Sequence, residues 1–264
     1  MENTKGSYGR KDRIKSYIFV IRQLASREIK HGNKGKWLGQ LWNVITPVVS
    51  MLTMSILFAF VFKKDFRQFV PYVFTGTIMF GFYDSGMSGC LNALAENKNL
   101  MIRTKIPKNI LVIEKLYEAF IRMLFSVVGY VIALIVTGTP VGFFAFLIPV
   151  DVFFSALIIL GIGKILAVIN VYFADISYFY KILMRFVFYA SAIFYDAAKL
   201  SPAMQQIIMF NPIYLSITFA RSCILYNGMP SAGIWVRLII YAVVVYVIGT
   251  VIFKKGSQDV VAKL

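Results

Sequence analysis

The chain has 264 residues, of which 59% are hydrophobic and 15% charged, with a formal net charge of +16. A soluble domain is usually about 45–50% apolar and about 25% charged, so this chain lacks the polar surface to enclose a globule of its size. An ordinary soluble domain is excluded, and the cations have a membrane explanation ahead of a nucleic-acid one, because Lys and Arg collect in cytoplasmic segments of membrane proteins.

In chain order, residues 12–29 place Ile14, Tyr17, Ile18, Ile21, Leu24 and Ala25 at helical spacing, with Arg13, Arg22, Arg27 and Glu28 mostly off that stripe. This predicts an amphipathic helix that lies in the inner membrane interface or packs on a partner. A basic stretch follows, in which Lys30, Lys34 and Lys36 hold the cytoplasmic side near lipid phosphates and Trp37 and Trp42 mark headgroup depth. The first span covers 41–62 with Pro47 inside it, and reaches about 33 Å at 1.5 Å per residue, enough for a hydrocarbon core about 30 Å thick. Some forty mostly polar residues precede it and it is longer than a signal peptide's apolar region, so it is expected to stay in the protein.

The second span, 69–95, carries Asp84 near its middle and leads into a polar cytoplasmic loop, 96–109. Spans 110–137 and 142–169 are joined by the turn Thr137–Pro140, and a fifth span covers 176–196. Residues 197–228 are interrupted by Pro202, Asn211-Pro212 and Gly228. They predict two short helices that dip into the outer leaflet and return, with a simple outer loop as the alternative. The sixth span is 232–253, ahead of a polar tail. The fold class is thus an all-α integral membrane protein forming one domain: six transmembrane helices, an N-terminal interfacial helix and two short re-entrant helices before the last span. Ten Lys and Arg precede Leu41, five lie in 96–118 and three follow Phe253, which puts both termini in the cytoplasm. Lys63, Lys64 and Arg67 make the first outer loop more basic than that rule favours.

No chemistry-bearing motif accompanies this frame. GNKGKW and GIGK fail the phosphate-binding P-loop pattern in spacing and in the missing Ser/Thr, and no dinucleotide fingerprint, HExxH or GxSxG occurs. No catalytic residue is therefore assigned. A single histidine, His31, and two distant cysteines, Cys90 and Cys223, give neither a metal site nor a disulfide framework. Ionisable groups inside spans are Asp84, Arg122, Asp151 and Lys164. Arg122 can snorkel, Asp151 and Lys164 lie too far apart on one span to pair, and Asp84 is the only carboxylate expected at depth. One acid is thin support for an ion-coupled carrier.

The order of these pieces resembles the permease subunit of type-2 ABC exporters of polysaccharide and teichoic acid. The residues that carry the likeness are Leu38-Gly39, Trp42 and Pro47 at the first span, and Asn97, Asn99, Leu100, Arg103, Lys105 and Pro107 in the cytoplasmic loop. Asn211-Pro212 and Arg221 follow the fifth span, and Phe253 and Lys255 begin the tail. Two positions depart from the family pattern: Ala174-Asp175 stands where Arg-Asp is usual, and Ser191-Ala192-Ile193-Phe194-Tyr195 lacks the proline of Ser-Pro-Val-x-Tyr.

The resemblance implies a homodimer with two separate ATPase subunits, which bind ATP and Mg while this chain holds no cofactor. The complex would move a lipid-linked glycan outward across the bacterial cytoplasmic membrane. It implies that Asn97, Leu100, Arg103, Lys105 and Pro107 couple to the ATPase. Aromatics of the first and fifth spans (Phe58, Phe62, Tyr189, Phe194 and Tyr195) are expected to line the path, since aromatic faces stack on sugar rings; lipid contact is the alternative for each. Other readings kept open are a type-2 permease for drugs or other lipids, an ion-coupled carrier, and a membrane enzyme of lipid-linked sugars.

Overall fold

The computed structural model describes residues 10–31, 41–61, 63–104 and 106–257, and every regular element among them is a helix. The elements are α1 (Arg10–His31), α2 (Trp42–Val61), α3 (Phe66–Glu96), α4 (Lys98–Arg103), α5 (Lys108–Thr137) and α6 (Ile148–Tyr172), the last preceded by a 3-10 turn (Phe143–Leu147). They continue with α7 (Ile176–Tyr189), a second 3-10 turn (Ala197–Lys199), α8 (Pro202–Ile208), α9 (Pro212–Ile224) and α10 (Ala232–Gly256). Four units are long and apolar enough to cross a membrane: α2, α5, the stretch 143–172, and α10. The pair α8–α9, bent by 96°, makes a fifth if it counts as one broken span.

Two of the six expected spans take unexpected forms. α3 is 31 residues long, about 46 Å at 1.5 Å per residue, yet it is not among the four. Its position explains this. α3 packs on α2, α5, α6, α7 and α9, and most of its residues from Phe69 to Leu94 are buried. A helix enclosed by others keeps little lipid-facing surface, so it can trade apolar bulk for small residues that let neighbours approach. Gly86 faces Ile159 of α6 and Gly89 faces Lys115 of α5.

α7 departs the other way. Its 14 residues reach about 21 Å, short of a hydrocarbon core about 30 Å thick. The expected span to 196 stops at Tyr189 because the chain then turns, with Ala192 in the left-handed region at φ 49°. A proline, confined to φ near −65°, cannot occupy that conformation. The break that the family pattern assigns to proline is therefore made here by a left-handed alanine.

Between apolar helices in lipid, close van der Waals packing replaces the hydrophobic drive. α6 and α10 meet backbone to backbone: a Cβ on Gly249 would collide with the Gly161 carbonyl oxygen, and one on Gly161 would stand 2.5 Å from that of Val245. The main core joins α3 to α5, α6 and α9 around Phe74, Phe82, Ile159, Leu215 and Phe219. A second cluster, with Leu94, Met101, Leu111, Ala167 and Phe253, closes the end of the bundle that carries α4.

Candidate translocation and coupling sites

The end of the bundle that carries α8 is organised by Arg221 of α9, which is only 4% exposed. Its Nη1 donates to the carbonyl of Ala192 (2.9 Å), Nη2 to those of Ile193 (2.8 Å) and Tyr72 (3.1 Å), and Nε also to Tyr72 (3.3 Å). The guanidinium stands 3.4 Å from the centroid of the Tyr72 ring. Gly76 makes room, because a Cβ there would lie 2.8 Å from Nη2. Buried carbonyls at a helix break need donors, and a planar five-donor fork serves the two there and the Tyr72 carbonyl of α3 at once.

The Asn-Pro pair has an equally local cause. Asn211 caps α9 by accepting from the Ile213 amide (3.0 Å), and Pro212 occupies the first turn, where its missing N–H costs nothing. The Asn211 amide nitrogen also donates to Ser191 Oγ (2.9 Å), tying α9 to the end of α7. Above the clasp lies a cavity of about 280 Å³ lined by Tyr72, Asp196, Gln205, Tyr214, Arg221 and Tyr226. Burial pushes the Tyr226 phenol above its usual range, against the pull of the nearby Arg221 guanidinium.

Most of the expected aromatic path comes together beside this break. Phe58 of α2 stacks on Phe194 with centroids 4.2 Å apart, and Phe188 meets Phe194 and Tyr189 edge-on at 5.3 and 5.4 Å. Tyr195 donates to the carbonyl of Tyr189 (2.9 Å), and the Tyr195 carbonyl accepts from Tyr72 (2.8 Å). Tyr189 is exposed whereas Phe194 is buried. Of the first set only Phe62 lies outside the described residues. Lys34, Lys36 and Trp37 lie outside them as well, as does the side chain of Lys30; Trp42 begins α2 and is exposed.

The deep carboxylate is not the expected one. Asp84 is half-buried and accepts from Tyr180 of α7 at 3.1 Å. Asp151, placed near a span end by sequence, is fully buried because α9 folds over it, and its two oxygens accept from Ser216 at 2.9 and 3.0 Å. Ser216 in turn lies 3.0 Å from Ser155. Lys164 is also buried, donating to Thr250 (3.0 Å) and sitting 4.4 Å from the Tyr246 ring centroid. Asp151 and Lys164 do not pair, as their spacing requires.

At the other end, the predicted loop 96–109 contains the short helix α4. Asn97 joins it to α3, donating to the Ala93 carbonyl (2.9 Å), Leu100 packs into the second core, Arg103 is exposed, and Pro107 caps α5. Lys105 lies outside the described residues. α1 packs on α5, burying Ala25. A chain of charges beneath this end escaped the sequence reading: Glu96 to Lys115 (2.8 Å), Lys115 to Glu118 (3.8 Å), Glu118 to Arg122 (2.6 Å). The spacing of Lys115, Glu118 and Arg122, three then four residues, is the helical pairing signal that could have found it.

The profile of a protein family described as ABC-2 type transporter matches residues 20–225. The chain is 22% identical over 245 residues to an O-antigen export system permease protein RfbA of Myxococcus xanthus, covering 92% of this chain and 94% of that one. Two proteins of the same description from Klebsiella pneumoniae are 22% and 20% identical over 241 residues, with 90% of this chain and 93% of theirs covered.

Proposed function

This chain belongs to the ABC-2 type transporter family, and from that premise we propose that it is the membrane permease of an ATP-driven exporter that carries a lipid-linked polysaccharide outward across the bacterial cytoplasmic membrane. The observation that carries this reading is the match to O-antigen export permeases along nine-tenths of both chains. With no phosphate-binding loop of its own, the chain takes its energy from partner subunits that bind ATP and Mg. A teichoic-acid-like polymer is cargo of the same kind, a phosphate-linked glycan on a lipid.

In the working arrangement, two copies pair and each seats α4 on an ATPase subunit, with α1 alongside. α2, α3, α5, α6, α10 and α7 together with the turn that follows it make six passes, α8–α9 re-enter from outside, and both termini are cytoplasmic. Closure of the ATPase pair around ATP shifts α4 as a rigid body, and the bundle transmits that shift to the interface between copies. Lys30, Lys34, Lys36, Trp37 and Trp42 meet the lipid phosphates at the inner face. Phe58, Phe62, Tyr189, Phe194 and Tyr195 offer aromatic faces to the sugars.

The test is hydrolysis and export together. The chain co-purified with its co-encoded ATPase is expected to hydrolyse ATP, the chain alone to be inert, and a strain lacking it to retain lipid-linked glycan inside the cell. Substantial hydrolysis by the lone chain, or unchanged surface glycan in that strain, overturns the reading.

A further inference from the structure

α7 carries two cations that no carboxylate among the described residues answers. Tyr178, Lys181, Arg185 and Tyr189 follow one another at spacings of three, four and four, which places them on one helix face, and all four are exposed. Lys181 lies 5.8 Å from the Tyr178 ring centroid, and no ion pair links either cation to a carboxylate among the described residues. The other cations set deep in long helices are matched: Lys115 and Arg122 by carboxylates, Lys164 by Thr250 and a ring, Arg221 by carbonyls. Arg237 is exposed but lies near the start of α10, within reach of an interface.

Lys181 and Arg185 stand level with the middle of α3, because Tyr180 beside Lys181 donates to Asp84 and Phe188, three residues past Arg185, meets Phe80. Beyond Ala190 the chain folds inward, with Ser191 to Phe194 buried. A charge at membrane depth is costly unless paired or in a wet cavity, so this stripe requires a counter-charge. Among the described residues, a second copy offers no free carboxylate within its bundle helices. Asp84 already accepts from Tyr180, Glu118 is paired, Asp151 and Glu114 are buried, and Glu28 of α1 and Glu96 of α3 stand at helix ends.

We propose that Lys181 and Arg185, between Tyr178 and Tyr189, form a binding site at membrane depth for the phosphate or diphosphate that links the transported glycan to its lipid. This rests on the exporter reading, and adds where the anionic linker is held as it crosses. Arg offers a planar fork to phosphate oxygens and Lys a point charge, while the flanking rings cover apolar chain on one side and sugar on the other.

The test uses the permease–ATPase complex in phosphatidylcholine nanodiscs, with geranylgeranyl diphosphate as probe and geranylgeraniol as its uncharged counterpart. The wild-type complex is expected to bind the diphosphate at least tenfold more tightly. Lys181→Gln with Arg185→Gln is expected to abolish that preference, whereas Lys181→Arg with Arg185→Lys retains most of it and Arg237→Gln all of it. Since neither cation has an ion-pair partner among the described residues, the double Gln variant is expected to melt within about 2 °C of the wild type. Equal diphosphate binding by the double Gln variant overturns the site, and so does displacement of the probe by phosphatidylglycerol at equal concentration, which would mark a bulk-lipid contact. Binding by a wild-type complex that exports no glycan sustains the site and overturns the exporter reading instead.

Discussion

Replacing Arg221 with glutamine is expected to free the break after α7 from its attachment to α3. The guanidinium reaches three carbonyl oxygens and the face of Tyr72 while 4% exposed. Hydrogen bonds to a charged group are worth about 1.5–3 kcal/mol each, and a partly desolvated cation–π contact about 0.5–2. They do not add, because one side chain makes them all and its own desolvation cost disappears with it. A net loss of about 3–4 kcal/mol is the expectation, which for a chain of this size lowers the melting temperature by roughly 6–15 °C. The assay is thermal unfolding of the purified complex, run as a cycle with Gly76→Ala. The alanine Cβ would come 2.8 Å from Arg221 Nη2, so this substitution harms the wild type and matters much less once the guanidinium is gone. A coupling of about 1–2 kcal/mol is expected. Melting of Arg221→Gln within about 1 °C of wild type, or strict additivity in the cycle, would refute the clasp.

Gly249→Leu drives a side chain into the Gly161 backbone and is expected to cost at least about 3 kcal/mol, read as loss of monodisperse protein in detergent. Lys115→Met removes the cation between Glu96 and Glu118 and is expected to destabilise by about 3 kcal/mol, with partial recovery in the double variant with Glu118→Gln; melting curves of the four proteins decide it. Tyr189→Ala deletes an exposed ring and is expected to lower glycan exported per ATP hydrolysed several-fold with a melting shift under about 2 °C. Arg103→Glu reverses an exposed charge on α4 and is expected to weaken co-purification with the ATPase subunit, which a pull-down at two salt concentrations measures.

The sequence made some elements plain and hid others, for reasons visible in particular residues. α2 and α10 are long apolar runs that face lipid, and lipid enforces the pattern that hydropathy reads. Asn211-Pro212 was legible as a break between two short helices, and the cap it makes at the start of α9 is local chemistry of the same residues. α3 was found as a stretch, but its central place was not legible, since a helix shielded by its neighbours can carry glycine and serine freely. Asp151 looked peripheral because only the return of α9 covers it, and no pattern along α6 records that return. The left-handed turn at Ala192 carries no glycine or proline to mark it; it persists because Arg221, twenty-nine residues later, holds its carbonyl.

α3 touches both ends of the bundle: Asn97 joins it to α4, and the Tyr72 carbonyl ties it to the Arg221 clasp. Treated as a stiff rod about 46 Å long pivoting at its middle, it converts a tilt of about 5° into a displacement of about 2 Å at each tip, in opposite directions. At Tyr72, about 14 Å from the pivot, the same tilt moves the carbonyl by about 1.2 Å, enough to pull a 3.1 Å hydrogen bond out of range, so the turn at Ala192 either travels with the rod or lets go of it. The bundle therefore has few independent moving parts. A push on α4 that tilts α3 as a rod is expected to reach the opposite mouth as a shift of reversed sense.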